Sequence, residues 1–322
     1  MKAVFIRKYG GVEALEYGDL PEPKLAKGQV LVQVHASCVN PRDWLLREGR
    51  YIFRYIMPAF PIILGSDISG VVVDAGPGAY RFRAGDAVFG MQTAFGGMGG
   101  YAEYIAIDES ALARKPSTIS HEEAAGVPCA ALTAYSALVR IAQVKDGSRI
   151  AIVGASGGVG TYAVQLAKAL GATVSTITST ANISLMESLG ADTIIDYKQQ
   201  KFASILNNQD VVFDTIGRES LDKCATVLNK HGRYITTIPN LQNFCQTIIS
   251  NYIRFLSLNS TRSTHIVLVP ADGLALEHIA ALMAKGKVHT IIDAVYPLSQ
   301  VKAAHEKSRT WRTRGKIILH VQ

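Results

Sequence analysis

A chain of 322 residues exceeds an ordinary single domain and predicts two, and with 48% of its residues apolar and 18% charged it can bury sizeable cores. No apolar run reaches the length of a bilayer-spanning helix, and the apolar start is too short for a secretory signal, so no membrane association and a cytoplasmic setting are expected. The formal charge of +7 is dispersed, and its densest cluster (Lys307, Arg309, Arg312, Arg314 and Lys316) lacks interleaved aromatics; it reads as a solvated face, which argues against a nucleic-acid partner.

Taken in chain order, the first residues read as an edge strand. Alternation follows at 30–35, and Gly/Pro punctuation is dense around Pro21, Pro23, Gly76, Gly78, Gly99 and Gly100, so the first part is β-rich. From about Ser120 the texture changes to strand–helix alternation. Strands are expected at 149–153, 172–177, 193–196, 210–213, 232–237 and 265–269. Helices are expected between them at 159–170, 182–189, 201–206 and 218–228, with a longer one at 242–256. Such alternation predicts a doubly wound parallel α/β sheet with right-handed crossovers. The tail returns to mixed texture: a helix at 274–285, a strand at 290–295, a helix at 299–307 and a strand at 316–321. The predicted division is therefore 1–122 with 271–322 as a β-rich domain, and 123–270 as a Rossmann dinucleotide-binding domain. The four cysteines, Cys38, Cys129, Cys224 and Cys245, show no C-x-x-C pairing and read as reduced core thiols.

The most informative stretch is 149–160. A short apolar run empties into Ala155, Ser156, Gly157, Gly158, Val159 and Gly160, and a helix follows at once. This is Ala-x-Gly-x-x-Gly, one methyl away from the dinucleotide fingerprint, in the strand–turn–helix context that the fingerprint requires. Glycine permits the tight turn and the close backbone approach, and the helix start offers unpaired N–H groups to a pyrophosphate. The second strand then ends in small hydroxyl residues, with no carboxylate to hold an adenosine ribose. Ser179 and Asn182 would offer donors to a 2′-phosphate, which favours NADPH, although no Lys or Arg lies between 174 and 190. Tyr197, after the third strand, could add a hydroxyl or a ring face. Asp214 and Ile238 follow the fourth and fifth strands, where ligands bind in such sheets; for Asp214, a helix cap is an equal alternative.

Four further segments fit one family together. They are Val39-Asn-Pro-Arg-Asp-Trp-Leu-Leu-Arg-Glu-Gly49, Pro61-Ile-Ile-Leu-Gly-Ser-Asp-Ile-Ser-Gly-Val71, Gly100-Tyr-Ala-Glu-Tyr104 and Glu123-Ala-Ala-Gly-Val-Pro-Cys-Ala-Ala-Leu-Thr-Ala-Tyr135. With the glycine turn, they resemble the medium-chain dehydrogenase/reductase superfamily, and within it the zinc-free quinone oxidoreductase branch. The resemblance runs along nearly the whole chain. It implies a GroES-like catalytic domain built from both termini, and a homodimer, for which the strand near 265–269 offers an edge. Zinc-dependent members carry a cysteine near position 40 and Gly-His-Glu in the second segment; this chain has Asn40 and Gly65-Ser66-Asp67, so no metal is expected.

Without a Lewis acid, the chemistry suits an acceptor that takes hydride readily, such as a quinone. An alcohol substrate would require stabilising an alkoxide. The resemblance places Asn40 beside the nicotinamide and substrate, where its amide could polarise a carbonyl; the alternative is a turn before Pro41. Tyr51 is a candidate for the substrate mouth, against surface packing. Thr133 would lie under the nicotinamide, or serve as an ordinary helix residue. Asp43 reads as a helix cap. Reduction of activated double bonds (enones, alkenals, enoyl thioesters) is the close rival, with Tyr51 or Tyr101 as the acid. A non-catalytic NADPH-binding sensor is a rival of another class. The segments 90–100 and 242–256 are expected to shape the substrate pocket.

Overall fold

The computed structural model describes residues 1–92, 99–238, 243–248 and 262–322. The chain forms two compact units, Met1–Leu132 with Pro270–Gln322, and Thr133–Val269. Most of the loop at 90–100 and most of the helix expected at 242–256 lie outside the described residues; residues 243–248 are helical.

The first unit is organised on one long strand. Strands β1 (Lys2–Ile6), β2 (Glu16–Asp19), β3 (Gln29–Val39), β4 (Ile62–Ile63), β5 (Asp67–Ala75), β6 (Ala87–Met91), β7 (Tyr104–Asp108) and β8 (Leu112–Arg114) precede helix α2 (His121–Ala125), and helix α1 (Pro41–Arg47) follows β3 directly. The far end of the chain returns β15 (Ile292–Pro297) and β16 (Lys316–His320), giving a seven-stranded sheet in the order β15-β16-β3-β5-β6-β8, with β7 also on β3. Alternating Val30, Val32 and Val34 of β3 bury against Ile68, Val72, Val88, Ile105, Ile107 and Leu112, the period-2 pattern of a one-sided sheet. Both termini thus build this β-rich unit. β1 is not an edge strand: it is the middle of a separate sheet ordered β2-β1-β4, so its backbone is paired on both sides.

Two details of this unit govern the site. Helix α2 packs on β3 and β5, and the unit extends to Leu132 rather than ending near 122. β16 pairs antiparallel with β3 in a register that sets Ile317 opposite Val39, which brings Lys316 alongside Asn40.

The second unit holds β9 (Arg149–Val153), β10 (Thr173–Thr178), β11 (Thr193–Asp196), β12 (Gln209–Asp214), β13 (Leu228–Thr236) and β14 (Ser263–Ile266) in the order β11-β10-β9-β12-β13-β14. Every pairing is parallel, and the order reverses direction at β9, as in a doubly wound Rossmann sheet. Helix α3 (Pro128–Tyr135) carries Thr133, and α4 (Gly158–Ala169) follows β9; α5 (Ile183–Ser188) and α6 (Leu221–Cys224) follow β10 and β12. Ala151, Val153, Ile177, Ile195, Val212 and Tyr234 form the core on one face.

The helix expected at 218–228 is shorter, because Leu228 pairs with Gln209 and begins β13 early. The segment expected as a helix at 201–206 makes only a single 3-10 turn, Phe202–Ser204. Among the described residues, no helix is long and apolar enough to cross a membrane. The cysteines are all free, and Cys38 and Cys224 are buried as expected; Cys245 is exposed and so is not a core thiol.

Candidate active site

In the second unit, the glycine turn separates into glycines the fold needs and one it does not. Gly154 has φ +77°, and a Cβ there would lie 2.6 Å from Thr215 Oγ1. At Gly160 a Cβ would stand 2.4 Å from the Gly154 carbonyl oxygen, so only glycine lets α4 approach β9 this closely. Gly157 is different. It caps α4 with φ −78°, and a Cβ there would meet only the Gly154 oxygen at 3.5 Å, an ordinary contact. The space above Gly157 is left open.

The amides of Gly158, Val159 and Gly160 form the first turn of α4, where no intrahelical acceptor exists and the helix dipole is positive. Ala155 is buried beneath the turn, and Ser156 stands half-exposed at its rim. Asn182 donates from Nδ2 to Ser156 Oγ (2.8 Å) and to Ser179 Oγ (3.3 Å), tying the turn to the end of β10. Its Oδ1 has no partner among the described residues. Tyr197 leaves the end of β11 with its N–H on the Thr178 oxygen (3.0 Å) and its ring 56% exposed. Lys198 follows it, its N–H held by Asp196 Oδ1 at 3.0 Å. A cation thus exists at these strand ends, one that a reading confined to 174–190 misses. These groups fit a dinucleotide: an open cradle, unpaired amides and a hydroxyl-lined strand end.

The Asp214 carboxylate turns inward, onto its own loop. It is fully buried, and its two oxygens accept from the N–H groups of Ile216 (3.0 Å), Gly217 (2.8 Å) and Glu219 (2.8 Å) and from the Tyr234 hydroxyl (2.9 Å). Its carboxylate is saturated and shapes the loop after β12, while Ser220 caps the following helix. Ile238 is half-buried on Gly217, where a Cβ would stand 2.7 Å from the Ile238 Cβ. Thr133 is buried in α3.

In the first unit, Asn40 is the centre of a buried polar cluster. Its Oδ1 accepts from Lys316 Nζ (2.7 Å), and its Nδ2 donates to Asp67 Oδ2 (3.0 Å). Asp67 Oδ1 accepts from the Cys129 N–H (3.2 Å) and from Ser66 Oγ (3.3 Å). The Asn40 N–H donates to Asp43 Oδ2 (2.7 Å), the capping interaction that starts α1. The same oxygen accepts from Tyr101 Oη (3.0 Å), and behind Tyr101 stand His305 Nε2 (3.4 Å) and, on the other ring nitrogen, Arg47 Nη1 (3.2 Å). Asn40, Asp43, Asp67, Tyr101, His305, Arg47 and Lys316 are all buried. Lys316 therefore does not belong to a solvated face: the β16 register carries it inside, where Asn40 and the nearby Asp67 compensate it.

Burial dominates the ionisation here. It pushes the Asp43 carboxyl up to about 6, although Arg42 and the Asn40 N–H pull it back. It also pushes the Asp67 carboxyl up, against Lys316, the Asn40 amide and Arg42. Burial works against the Lys316 charge, yet its neighbours, Asp67 among them, hold the ammonium above its ordinary value. The Cys129 thiol is driven up to about 11 and stays protonated at neutral pH. Tyr101 is raised well above an ordinary phenol by burial and by the Asp43 charge, and its hydroxyl is fully buried with its hydrogen donated to Asp43. Tyr51 is half-buried, and its phenol is raised by burial while Arg42 opposes the shift.

The position where zinc-dependent relatives coordinate metal does not fit zinc in this chain. The Asn40 oxygen is taken by a lysine ammonium, and Asp67 is bound by an amide and a backbone N–H. A second cation would meet the first. Among the described residues, no group of three His, Cys, Asp or Glu side chains converges to hold a metal.

A Rossmann unit with an open glycine turn, joined in one chain to a β-rich unit with a buried polar cluster, is the pattern of a dinucleotide-dependent oxidoreductase. Two family models match, a zinc-binding dehydrogenase model over residues 189–319 and an alcohol dehydrogenase GroES-like domain model over residues 26–117. The chain is 34% identical to a chloroplastic quinone-oxidoreductase QR1 of Triphysaria versicolor, over 99% of this chain and 98% of that protein. It is 32% identical to an NADPH-dependent alkenal/one oxidoreductase of Arabidopsis thaliana, over 99% of this chain and 79% of that one. The solved quinone oxidoreductase of Coxiella burnetii superposes with a TM-score of 0.88 at 29% identity, covering 100% of this chain and 99% of that one. The chain belongs to the medium-chain dehydrogenase/reductase superfamily, in its quinone oxidoreductase branch.

Proposed function

We propose that the protein is an NADPH-dependent, metal-free reductase of quinones. The observation that carries this reading is the Lys316–Asn40–Asp67 arrangement, which installs a fixed cation where metal-dependent relatives need a vacant ligand set. The glycine turn, Asn182, Ser179 and Tyr197 would hold NADPH, which when bound supplies a hydride to an acceptor. Asn40 is oriented for one task. With Oδ1 on Lys316 and one Nδ2 hydrogen on Asp67, its amide keeps one N–H to offer an acceptor oxygen. Lys316, behind that amide, supplies positive charge that favours the oxyanion formed as hydride arrives. A hydroxyl or water then protonates that oxygen. An alcohol would need its alkoxide stabilised by a direct cation contact, which this donor set does not offer.

Reduction of enones is the second reading, favoured by the half-buried Tyr51, a hydroxyl near the same cluster that could protonate carbon. Pairing of two copies through β14, the terminal strand of its sheet among the described residues, is proposed as the route to a dimer, and mass measurement in solution tests it. The function is tested by following NADPH and NADH consumption with 1,4-naphthoquinone and with an enone. Faster quinone reduction with NADPH is expected. Turnover of neither acceptor would overturn both enzymatic readings and leave a cofactor-binding sensor.

A further inference from the structure

Arg42 is a cation of this cluster that the reading above leaves without a task, and it lies nearer Asn40 in sequence than the other such cation, Arg47. It sits in the first turn of α1, two residues from Asn40, and its Nη2 donates to the Gln92 carbonyl oxygen at 2.8 Å. Its Nε is inaccessible to solvent and has no partner among the described residues. A guanidinium nitrogen rarely stays buried without an acceptor, because the lost hydration is recovered only by an acceptor. Asp43, Tyr51, Cys129 and Asp67 all lie close enough to bear on its ionisation: burial opposes the charge, and these neighbours hold it above its ordinary value.

The cluster also has an open side. Asn40, Asp43, Asp67 and Lys316 are buried, whereas Arg42, Tyr51 and Cys129 are each partly exposed. Arg42 is therefore one of the residues through which this buried cluster reaches solvent. Of the two carboxylates near it, Asp67 is engaged by Asn40 and Cys129, while Asp43 accepts from Asn40 and Tyr101 on Oδ2 and keeps a buried Oδ1 without a partner among the described residues. With Lys316 behind, the rim presents a cation whose fork can accept a further anion.

We propose that Arg42 is a specificity residue that selects acceptors bearing an anionic group, a carboxylate or sulfonate near the reducible carbonyl, by binding that anion through its guanidinium. This rests on the reading of Asn40 as the acceptor-side residue. The substrate class is thus an acidic quinone or enone rather than a purely apolar one.

The test compares the wild-type enzyme, Arg42→Gln and Arg42→Lys on 1,4-naphthoquinone and 1,4-naphthoquinone-2-sulfonate. The ratio of kcat/KM for the sulfonate over the neutral quinone should fall about tenfold or more in Arg42→Gln, mainly through KM, with Arg42→Lys intermediate. Calorimetry with naphthalene-2-sulfonate, which accepts no hydride, reads the same anion site without turnover; it should bind the wild type and lose about tenfold or more in affinity for Arg42→Gln. NADPH titration of each variant checks that the fold is intact. An unchanged ratio across the three proteins, or equal naphthalene-2-sulfonate affinity in wild type and Arg42→Gln, overturns the proposal and leaves quinone reduction standing. If instead neither quinone turns over, yet naphthalene-2-sulfonate binds in an Arg42-dependent way, the anion site stands and the quinone reading falls.

Discussion

Replacing Gly157 with valine separates cofactor binding from folding more cleanly than any other change in the glycine turn. Backbone φ is −78° with extended ψ, which valine adopts freely, and the added Cβ meets only the Gly154 oxygen at 3.5 Å. The cost to the fold is then that of a poorer helix cap, about 1 kcal/mol, or a melting shift of about 2–4 °C. The effect on ligand is far larger. A branched side chain would fill the space over the amides of Gly158, Val159 and Gly160, displacing several charge-assisted hydrogen bonds worth about 1.5–3 kcal/mol each. Loss of about 3 kcal/mol already raises Kd more than about 100-fold. Calorimetric titration with NADPH, paired with a thermal melt, reads both quantities. Gly160→Ala is the contrast: its Cβ would lie 2.4 Å from backbone oxygen, so it should melt much lower because the fold itself is strained. A folded Gly157→Val protein with a Kd within about threefold of wild type would refute the placement of the cofactor on this turn.

Two predictions concern the buried cluster. Lys316→Met leaves Asp67 buried with part of its compensation gone, and should cost about 3 kcal/mol by chemical denaturation, most of it recovered on adding Asp67→Asn; an additive double variant would contradict the coupling. Asp43 is fully buried with its carboxyl raised to about 6. Because this folded value lies above the unfolded one, its contribution is present at low pH and lost as pH rises through about 6. Relative to Asp43→Asn, the wild type should therefore lose roughly 2 kcal/mol of stability between about pH 4 and 7; parallel stability profiles for the two proteins would contradict it.

The Rossmann half was legible because its signals are local: apolar runs of strand length, a glycine turn between strand and helix, and helices of regular period between the strands. Where local signals compete, they mislead. Leu228 belongs to a helix-like run, yet its pairing with Gln209 recruits it to β13. Asp214 sits where a ligand-binding carboxylate would stand, and only the backbone N–H groups of Ile216, Gly217 and Glu219 show that it is already spent.

The polar cluster was only half legible. Asn40 and Asp67 stand in recognisable segments, but their cation, Lys316, lies 276 residues from Asn40 in sequence, inside a run of basic residues that looks solvated. Its burial follows from the β16–β3 register, a long-range pairing that no local pattern encodes. The chain Tyr101–His305–Arg47 was hidden for the same reason.

The most direct test is the rate of NADPH-driven reduction of 1,4-naphthoquinone by protein stripped of metal and kept in chelator. A cluster that carries its own fixed cation predicts full activity that added zinc does not raise. Activity that vanishes with chelation and returns with zinc would contradict it.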